Sequence, residues 1–270
     1  MLCFPNCKIN LGLYITRRRE DGYHDIETVF YPLSLHDALE VVPSAKTTLH
    51  ASGLAVSGSD QDNLVWKAYH LLNVAYPGKI PPLDIYLHKS IPMGAGLGGG
   101  SADGAYMLHL LNDYCNLRLT TPQLIAFALQ LGSDCPFFIH NTPQFATGRG
   151  EIMNDISLDL SAYSIQLICP QVHVSTAKAF GMITPRPAAF DLRTLGSLPV
   201  EQWKHNINND FEIPVFSQYP VLENIKQQLY DQGALYAAMS GSGSSVFGIF
   251  PKTQKADIKA NIAFQSFYIE

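Results

Sequence analysis

Polar and apolar residues alternate over residues 8–16, KINLGLYIT, and this period of two predicts a strand. Asp21-Gly22 marks a turn. Two further strand-like runs follow, ETVFYPLSL (27–35) and ALEVVP (38–43). The period then lengthens. Over 62–76, Leu64, Val65, Ala68, Leu71 and Leu72 recur at helical spacing behind the capping residues Asp62 and Asn63. LDIYLHK (83–89) returns to strand. Ser101 stands where it can cap a helix running to about Tyr114, with Ala102, Ala105, Tyr106, Leu108 and Leu111 on its apolar side. Thr121-Pro122 opens another helix that stops at Gly132, with threonine at the cap and proline first in the helix. PFFIH (136–140) and FATGRGEIM (145–153) look extended.

Past residue 155 the polar stretch SLDLSAYS interrupts the pattern and suggests a boundary, giving domains 1–155 and 156–270. Beyond it the chain reads as a strand (164–169), a helix (175–183) and a Pro-rich connection. Helices follow near 199–210 and 221–231, then two strands flanking Ser240–Ser245, a helix near 252–262 and a final strand. No internal repeat interrupts this order. The sum is an α+β chain with a strand-rich first half.

Composition narrows the function classes. Charged residues are 15% and hydrophobic residues 47% of 270, which argues against disorder. A net charge of −5 leaves no basic field to hold nucleic acid or an anionic membrane. The one basic run, Arg17-Arg18-Arg19, meets Glu20-Asp21 at once and reads as a solvated turn. Cys3, Cys7, Cys115, Cys135 and Cys169 are odd in number and scattered, a pattern of reduced thiols that points to the cytoplasm. Cys3 and Cys7 lack the second pair that a structural zinc needs, and no HExxH is present, so no protein-held metal site is expected. Pro5, Asn6 and Lys8 stand where a signal peptide would be apolar. No run approaches the ~18 apolar residues of a membrane span.

Glycine is ordinary in number and uneven in place. Gly94, Gly96, Gly98, Gly99, Gly100 and Gly104 fall within eleven residues, the first five directly before a helix. Closely spaced glycines let a ligand approach the backbone, and a helix start gathers free N–H groups and the positive end of its dipole. Together these make a phosphate site. A Walker loop is excluded, because no GK[ST] follows. Gly94–Gly99 spells GxGxxG, but Pro92 and Met93 separate it from the strand and a second helix follows the first, so a dinucleotide fold is excluded too. A smaller group, Gly241 and Gly243, lies among four serines.

The string Pro92-Met93-Gly94-Ala95-Gly96-Leu97-Gly98-Gly99-Gly100-Ser101-Ala102 resembles the central ATP motif of the GHMP kinases. Pro5-Asn6-Cys7-Lys8-Ile9-Asn10-Leu11 looks like that family's P-A-K-I-N-L segment, and Ser240–Ser245 like its third, glycine-rich motif. Arg19-Glu20-Asp21-Gly22-Tyr23-His24, Leu131–Phe137 and Asn208-Asn209-Asp210-Phe211-Glu212 narrow the resemblance to a branch whose small-molecule substrate carries a cytidine. Cys7 stands where alanine is usual, Ser133 where alanine is common and Cys135 where valine is frequent.

The resemblance implies a two-domain GHMP kinase fold, with a ribosomal-S5-domain-2-like N-terminal domain and a ferredoxin-like C-terminal domain. It implies ATP, with Mg2+ accompanying the nucleotide, and a monomer or weak homodimer. Asp134 would be the catalytic base and Lys8 its partner; the plain alternatives are a turn carboxylate and an edge-strand charge. Tyr23 would stack on cytosine, His24 would bond its edge, and Phe180 would face it from the other side, unless Phe180 is simply a core residue. Asn10 would touch the substrate diphosphate, or else bond a neighbouring strand. Asn63 and Lys89 match positions near the adenine, although Asn63 is equally a helix cap. Asp103, in the first helical turn, would reach magnesium indirectly or point away. The rivals are a GHMP kinase of homoserine or phosphomevalonate type, whose substrate has no base for Tyr23 and His24, and a non-catalytic nucleotide-binding regulator, which would lack the Lys8–Asp134 pair.

Overall fold

The computed structural model describes residues 1–55 and 58–270. A short strand β1 (Leu2–Cys3) precedes the long β2 (Asn6–Arg18). Then come β3 (His24–His36), β4 (Ala38–Pro43), β5 (Thr48–Gly53), α1 (Leu64–Ala75), β6 (Leu83–Lys89), α2 (Gly99–Tyr114), α3 (Thr121–Leu131) and α4 (Cys135–His140). The rest comprises β7 (Gln144–Thr147), β8 (Ile152–Asp155), β9 (Tyr163–Pro170), α5 (Thr176–Gly181), α6 (Val200–Asn206), α7 (Glu212–Gln218), α8 (Pro220–Asp231), β10 (Tyr236–Met239), β11 (Val246–Pro251) and β12 (Phe264–Ile269). Two compact units result. One holds Met1–Lys8, Ser34–Met93 and Gly98–Thr142, the other Ile9–Leu33, Gly94–Leu97 and Pro143–Glu270. The sequence suggests a single cut near 155, whereas these units alternate along the chain, because β7 pairs with β3 rather than with a strand nearer in sequence.

The first unit is built on the sheet β1-β4-β6-β5. Leu83, Ile85 and Leu87 of β6 are buried while Tyr86 and His88 are exposed, the signature of a sheet covered on one face. β5 and β6 are parallel, and α1 makes the crossover between them. Asn63 caps α1 by accepting from the Val65 amide at 2.9 Å. α2 begins three residues earlier than the sequence suggests. Gly98, at φ 70°, is its N-cap, so Ser101 lies inside the first turn and caps nothing. A left-handed N-cap favours glycine over serine, which is why the start moves. α3 is capped by Thr120 rather than Thr121, through a box with Gln123. PFFIH is helical, not extended. Pro136 sits in the first turn of α4 and every residue of Pro136–Ile139 is buried, so no alternation was available to identify the element.

The second unit contains the sheets β2-β3-β7-β8 and β10-β11-β9-β12. FATGRGEIM is a hairpin whose arms, β7 and β8, pair from Thr147↔Ile152 onward, with residues 148–151 as its turn. The helix expected near 252–262 does not form. Three glutamine side chains instead satisfy that backbone: Gln166 bonds both polar groups of Ala256, Gln232 those of Asp257 and Gln228 those of Lys259. The helix expected over 199–210 ends at Asn206, because Asn208 and Asp210 bond the backbone of Leu13 in β2. α7 follows, and Phe211, Val215 and Phe216 join Leu222, Ile225 and Leu229 of α8 in one apolar cluster. Among the described residues, no helix is long and apolar enough to cross a membrane.

Candidate active site

In the first unit, the glycines at the head of α2 serve two different ends. A Cβ on Gly98 would lie 3.0 Å from the Phe138 ring and 3.3 Å from Cε of Lys8. A Cβ on Gly99 would lie 2.8 Å from the Ile91 side chain. These two glycines are needed for the protein's own packing. A Cβ on Gly100 would meet nothing within 4 Å. The protein does not require glycine there, but a ligand approaching the free N–H groups of this 16-residue helix would.

Lys8 is buried, its side chain 5% exposed, and its Nζ lies 3.6 Å from Oδ2 of Asp134, which is 38% exposed. Burial lowers the Lys8 pKa, and the neighbouring Asp134 charge opposes that shift. Asp134 occupies the N-cap position of α4, yet its side chain makes no capping bond. The carboxylate is therefore not used up by the turn. It faces an ammonium on one side and solvent on the other, an arrangement suited to taking a proton from a bound hydroxyl. The next residue, Cys135, has its thiol pKa pushed up to about 12, mainly by burial, despite a hydrogen bond with Ser101. It is no nucleophile.

Lys89 does not offer its ammonium to a nucleotide. Its side chain is 1% exposed and is held between Asp37 and Asp103, the latter at 2.6 Å. A lone ammonium at this depth would be costly, and the two carboxylates compensate it. Asp37 also accepts from the Ser90 and Ile91 amides at 2.6 and 2.9 Å, which fixes the chain between β6 and the glycines. Asp103 is buried against Lys89. Burial raises its pKa to about 8, and its Oδ1 has no hydrogen-bond partner. Asn63 performs the capping role described above. Pro92 and Met93 border this stretch, with Met93 exposed.

In the second unit, Gly94–Leu97 lies against the Ser240–Ser245 loop. A Cβ on Gly96 (φ +80°) would fall 2.0 Å from the Ser240 carbonyl oxygen. The Ser240 hydroxyl donates to the Gly96 carbonyl at 2.8 Å, and the Ser245 amide to the Ala95 carbonyl at 3.1 Å. Leu97 and Ala95 are buried. The Asn10 amide donates to the Ser240 hydroxyl, while its side chain donates to Thr28 Oγ1 at 3.0 Å. The neighbouring-strand alternative thus describes what the Asn10 side chain does.

Tyr23 is 58% exposed, with the Arg149 guanidinium 5.2 Å from its ring centroid. His24 stacks on Phe180 at 4.9 Å and 15° between planes. A base cannot lie between those two rings. Phe180 is only partly buried, and His24 lies against one face of its ring. Burial and the Arg18 charge lower the His24 pKa, which keeps a neutral imidazole able to bond a base edge. The sequence reading missed Arg149. Its only signal there is a cation between two glycines in a hairpin turn. Asp37 carried no signal either, since its partner Lys89 lies 52 residues away.

Two family models match the chain, GHMP kinases N terminal domain over residues 63–142 and GHMP kinases C terminal over 191–269. A 4-diphosphocytidyl-2-C-methyl-D-erythritol kinase from Parabacteroides distasonis is 53% identical over 252 residues, covering 93% of this chain and 92% of the relative. One from Bacteroides fragilis is 52% identical over 273 residues, covering 98% and 99%. A crystal structure of 4-(cytidine 5'-diphospho)-2C-methyl-D-erythritol kinase superposes with a TM-score of 0.75 at 33% identity, covering 92% of this chain and 90% of that one.

Proposed function

The chain belongs to the GHMP kinase family, and from that premise we propose that it phosphorylates the 2-hydroxyl of 4-diphosphocytidyl-2-C-methyl-D-erythritol, using ATP, in non-mevalonate isoprenoid precursor synthesis. The observation that carries the chemistry is the Lys8–Asp134 pair beside the Gly98 end of α2. Near-full-length identity to relatives with that name supports the substrate.

Asp134 accepts the proton of the 2-hydroxyl as its oxygen attacks the γ-phosphorus. The new O–P bond forms while the bond to the ADP oxygen breaks. Lys8 keeps a positive charge beside the reacting oxygens, and the amides at the start of α2 hold phosphate oxygens. Among the described residues, no group of three or more His, Cys, Asp or Glu could hold a metal ion. Magnesium would enter with the nucleotide as its counter-ion, where it would neutralise phosphate charge. The exposed Tyr23 ring supplies a stacking surface for cytosine, with the neutral His24 imidazole beside it in sequence. The scattered cysteines are consistent with a cytoplasmic reaction.

Replacing Tyr23 by alanine tests the substrate side. A base–aromatic stack is worth roughly 1–3 kcal/mol, so KM for the cytidylated alcohol should rise roughly 5- to 150-fold while KM for ATP holds. An unchanged KM for the alcohol would remove Tyr23 from the base site.

A further inference from the structure

The string Asn208-Asn209-Asp210-Phe211-Glu212 takes no part in the chemistry above, yet it is among the most densely bonded segments of the second unit. Asn209 is buried, and its side-chain amide donates to the Met239 and Gly241 carbonyls, both at 2.8 Å. Its Oδ1 accepts from the Phe211 amide at 2.9 Å. Glu212 accepts from the Met239 amide at 2.8 Å through one oxygen and from Lys226 at 2.7 Å through the other. Both residues therefore grip the point where β10 gives way to the Ser240–Ser245 loop. That loop in turn holds the Gly94–Leu97 segment through Ser240 and Ser245.

The same string also carries a ring that touches the His24–Phe180 pair. Phe211 is buried, and its ring meets Phe180, the ring on which His24 stacks, edge-on at 4.8 Å. Asp210 accepts from the Ile15 amide at 2.9 Å and from Arg186 at 3.1 Å, which locks the string to the strand carrying Asn10. Buried polar groups satisfied this fully fix one geometry rather than a family of them.

We propose that Asn208–Glu212 is a positioning element with two separable outputs: Asn209 and Glu212 set the glycine loop that supports the nucleotide, and Phe211 sets the Phe180–His24 pair that meets the cytosine end of the other substrate. The Phe211 output rests on the function proposed above; the Asn209 output requires only that the glycine segments bind ATP. None of the five residues is assigned a contact with a reacting atom.

The test compares Asn209→Ala and Phe211→Leu in the full chain by steady-state kinetics on both substrates, with ATP binding measured separately by ligand-induced thermal shift. Asn209→Ala should raise KM for ATP at least about tenfold and lower kcat, leaving KM for the cytidylated alcohol within about twofold. Phe211→Leu stays apolar but removes the ring, and should do the reverse, raising KM for the alcohol about tenfold with KM for ATP unchanged. Should Asn209→Ala fail to fold, Ser240→Ala breaks the next link and should raise KM for ATP in its place. Equal effects of Asn209→Ala and Phe211→Leu on the two substrates, or lower melting temperatures with unchanged kinetics, would overturn the proposal. If the wild-type chain does not turn over the cytidylated alcohol, the substrate reading fails. The thermal shift with ATP alone then decides the Asn209 output: a weakened shift upholds it and a wild-type shift overturns it.

Discussion

The buried triad Asp37–Lys89–Asp103 predicts that two aspartates with one ammonium between them respond oppositely to the same substitution. The side chains are 0%, 1% and 3% exposed, and with all three ionised the cluster would carry an uncompensated negative charge. Asp37 accepts only: Lys89 on one oxygen, the Ser90 and Ile91 amides on the other. Asp103 accepts from Lys89 on Oδ2, while Oδ1 has no partner, so the proton resides on Asp103. Asp103→Asn mimics the neutral acid and should cost no more than about 1 kcal/mol at pH 7. Asp37→Asn breaks a buried ion pair and should cost ~3–5 kcal/mol. At about 2–4 °C per kcal/mol for a chain of this size, that lowers Tm by roughly 10 °C. The pH dependence follows. Folding raises the Asp103 pKa from the ordinary 3.8 to about 8. Its stabilising contribution is therefore complete below about pH 4, falls by up to ~1.4 kcal/mol per pH unit, and is gone above about pH 8. Asp103→Asn lacks that slope, so its stability relative to wild type should rise steadily from pH 5 to pH 9. Scanning calorimetry of the three proteins from pH 5 to 9 reads all of this. Parallel Tm curves for wild type and Asp103→Asn, or an Asp103→Asn loss as large as that of Asp37→Asn, would refute the reasoning.

Lys8→Ala and Asp134→Asn should each lower kcat by about 10²–10⁴-fold with KM for ATP little changed, and near-normal turnover of either in a steady-state assay would remove the pair from catalysis. Two alanine substitutions separate packing from ligand binding at the glycines. Gly96→Ala should lower Tm by several degrees, since its Cβ would fall 2.0 Å from the Ser240 carbonyl at a positive φ. Gly100→Ala has open space around its Cβ, so it should melt within about 1 °C of wild type yet raise KM for ATP about tenfold, near 1.4 kcal/mol of lost phosphate binding. Normal ATP affinity in Gly100→Ala would place the phosphates elsewhere.

Elements whose burial is periodic were legible from the chain alone. The strand Leu83–Lys89 and the helix Leu64–Ala75 appear within a residue or two of where alternation and helical spacing put them. The elements that were misread are those where burial has no period or where tertiary bonds replace local ones. Pro136–Ile139 is buried throughout and gave no phase, and the backbone of the 252–262 segment is bonded by glutamines from distant elements. The site divides in the same way. Gly98–Gly100 lie in a short string whose residue types announce a phosphate site, whereas Lys8 and Asp134 stand out only through the resemblance of their segments to a family's motifs. The engagement of Lys89 with Asp37, the stacking of His24 on Phe180 and the approach of Arg149 to Tyr23 depend on residues far apart in sequence. No local pattern encodes them.

The central claim is that this chain moves the γ-phosphoryl group of ATP to the 2-hydroxyl of a cytidylated methylerythritol. It is tested by incubating the purified protein with Mg-ATP and, in separate reactions, that alcohol, homoserine and mevalonate, following ADP release and the phosphorus spectrum. The account predicts stoichiometric ADP and one new phosphomonoester resonance with the cytidylated alcohol only, and neither from Asp134→Asn. Turnover of homoserine or mevalonate without turnover of the cytidylated alcohol would contradict the substrate, and no ADP from any of the three would contradict the kinase itself.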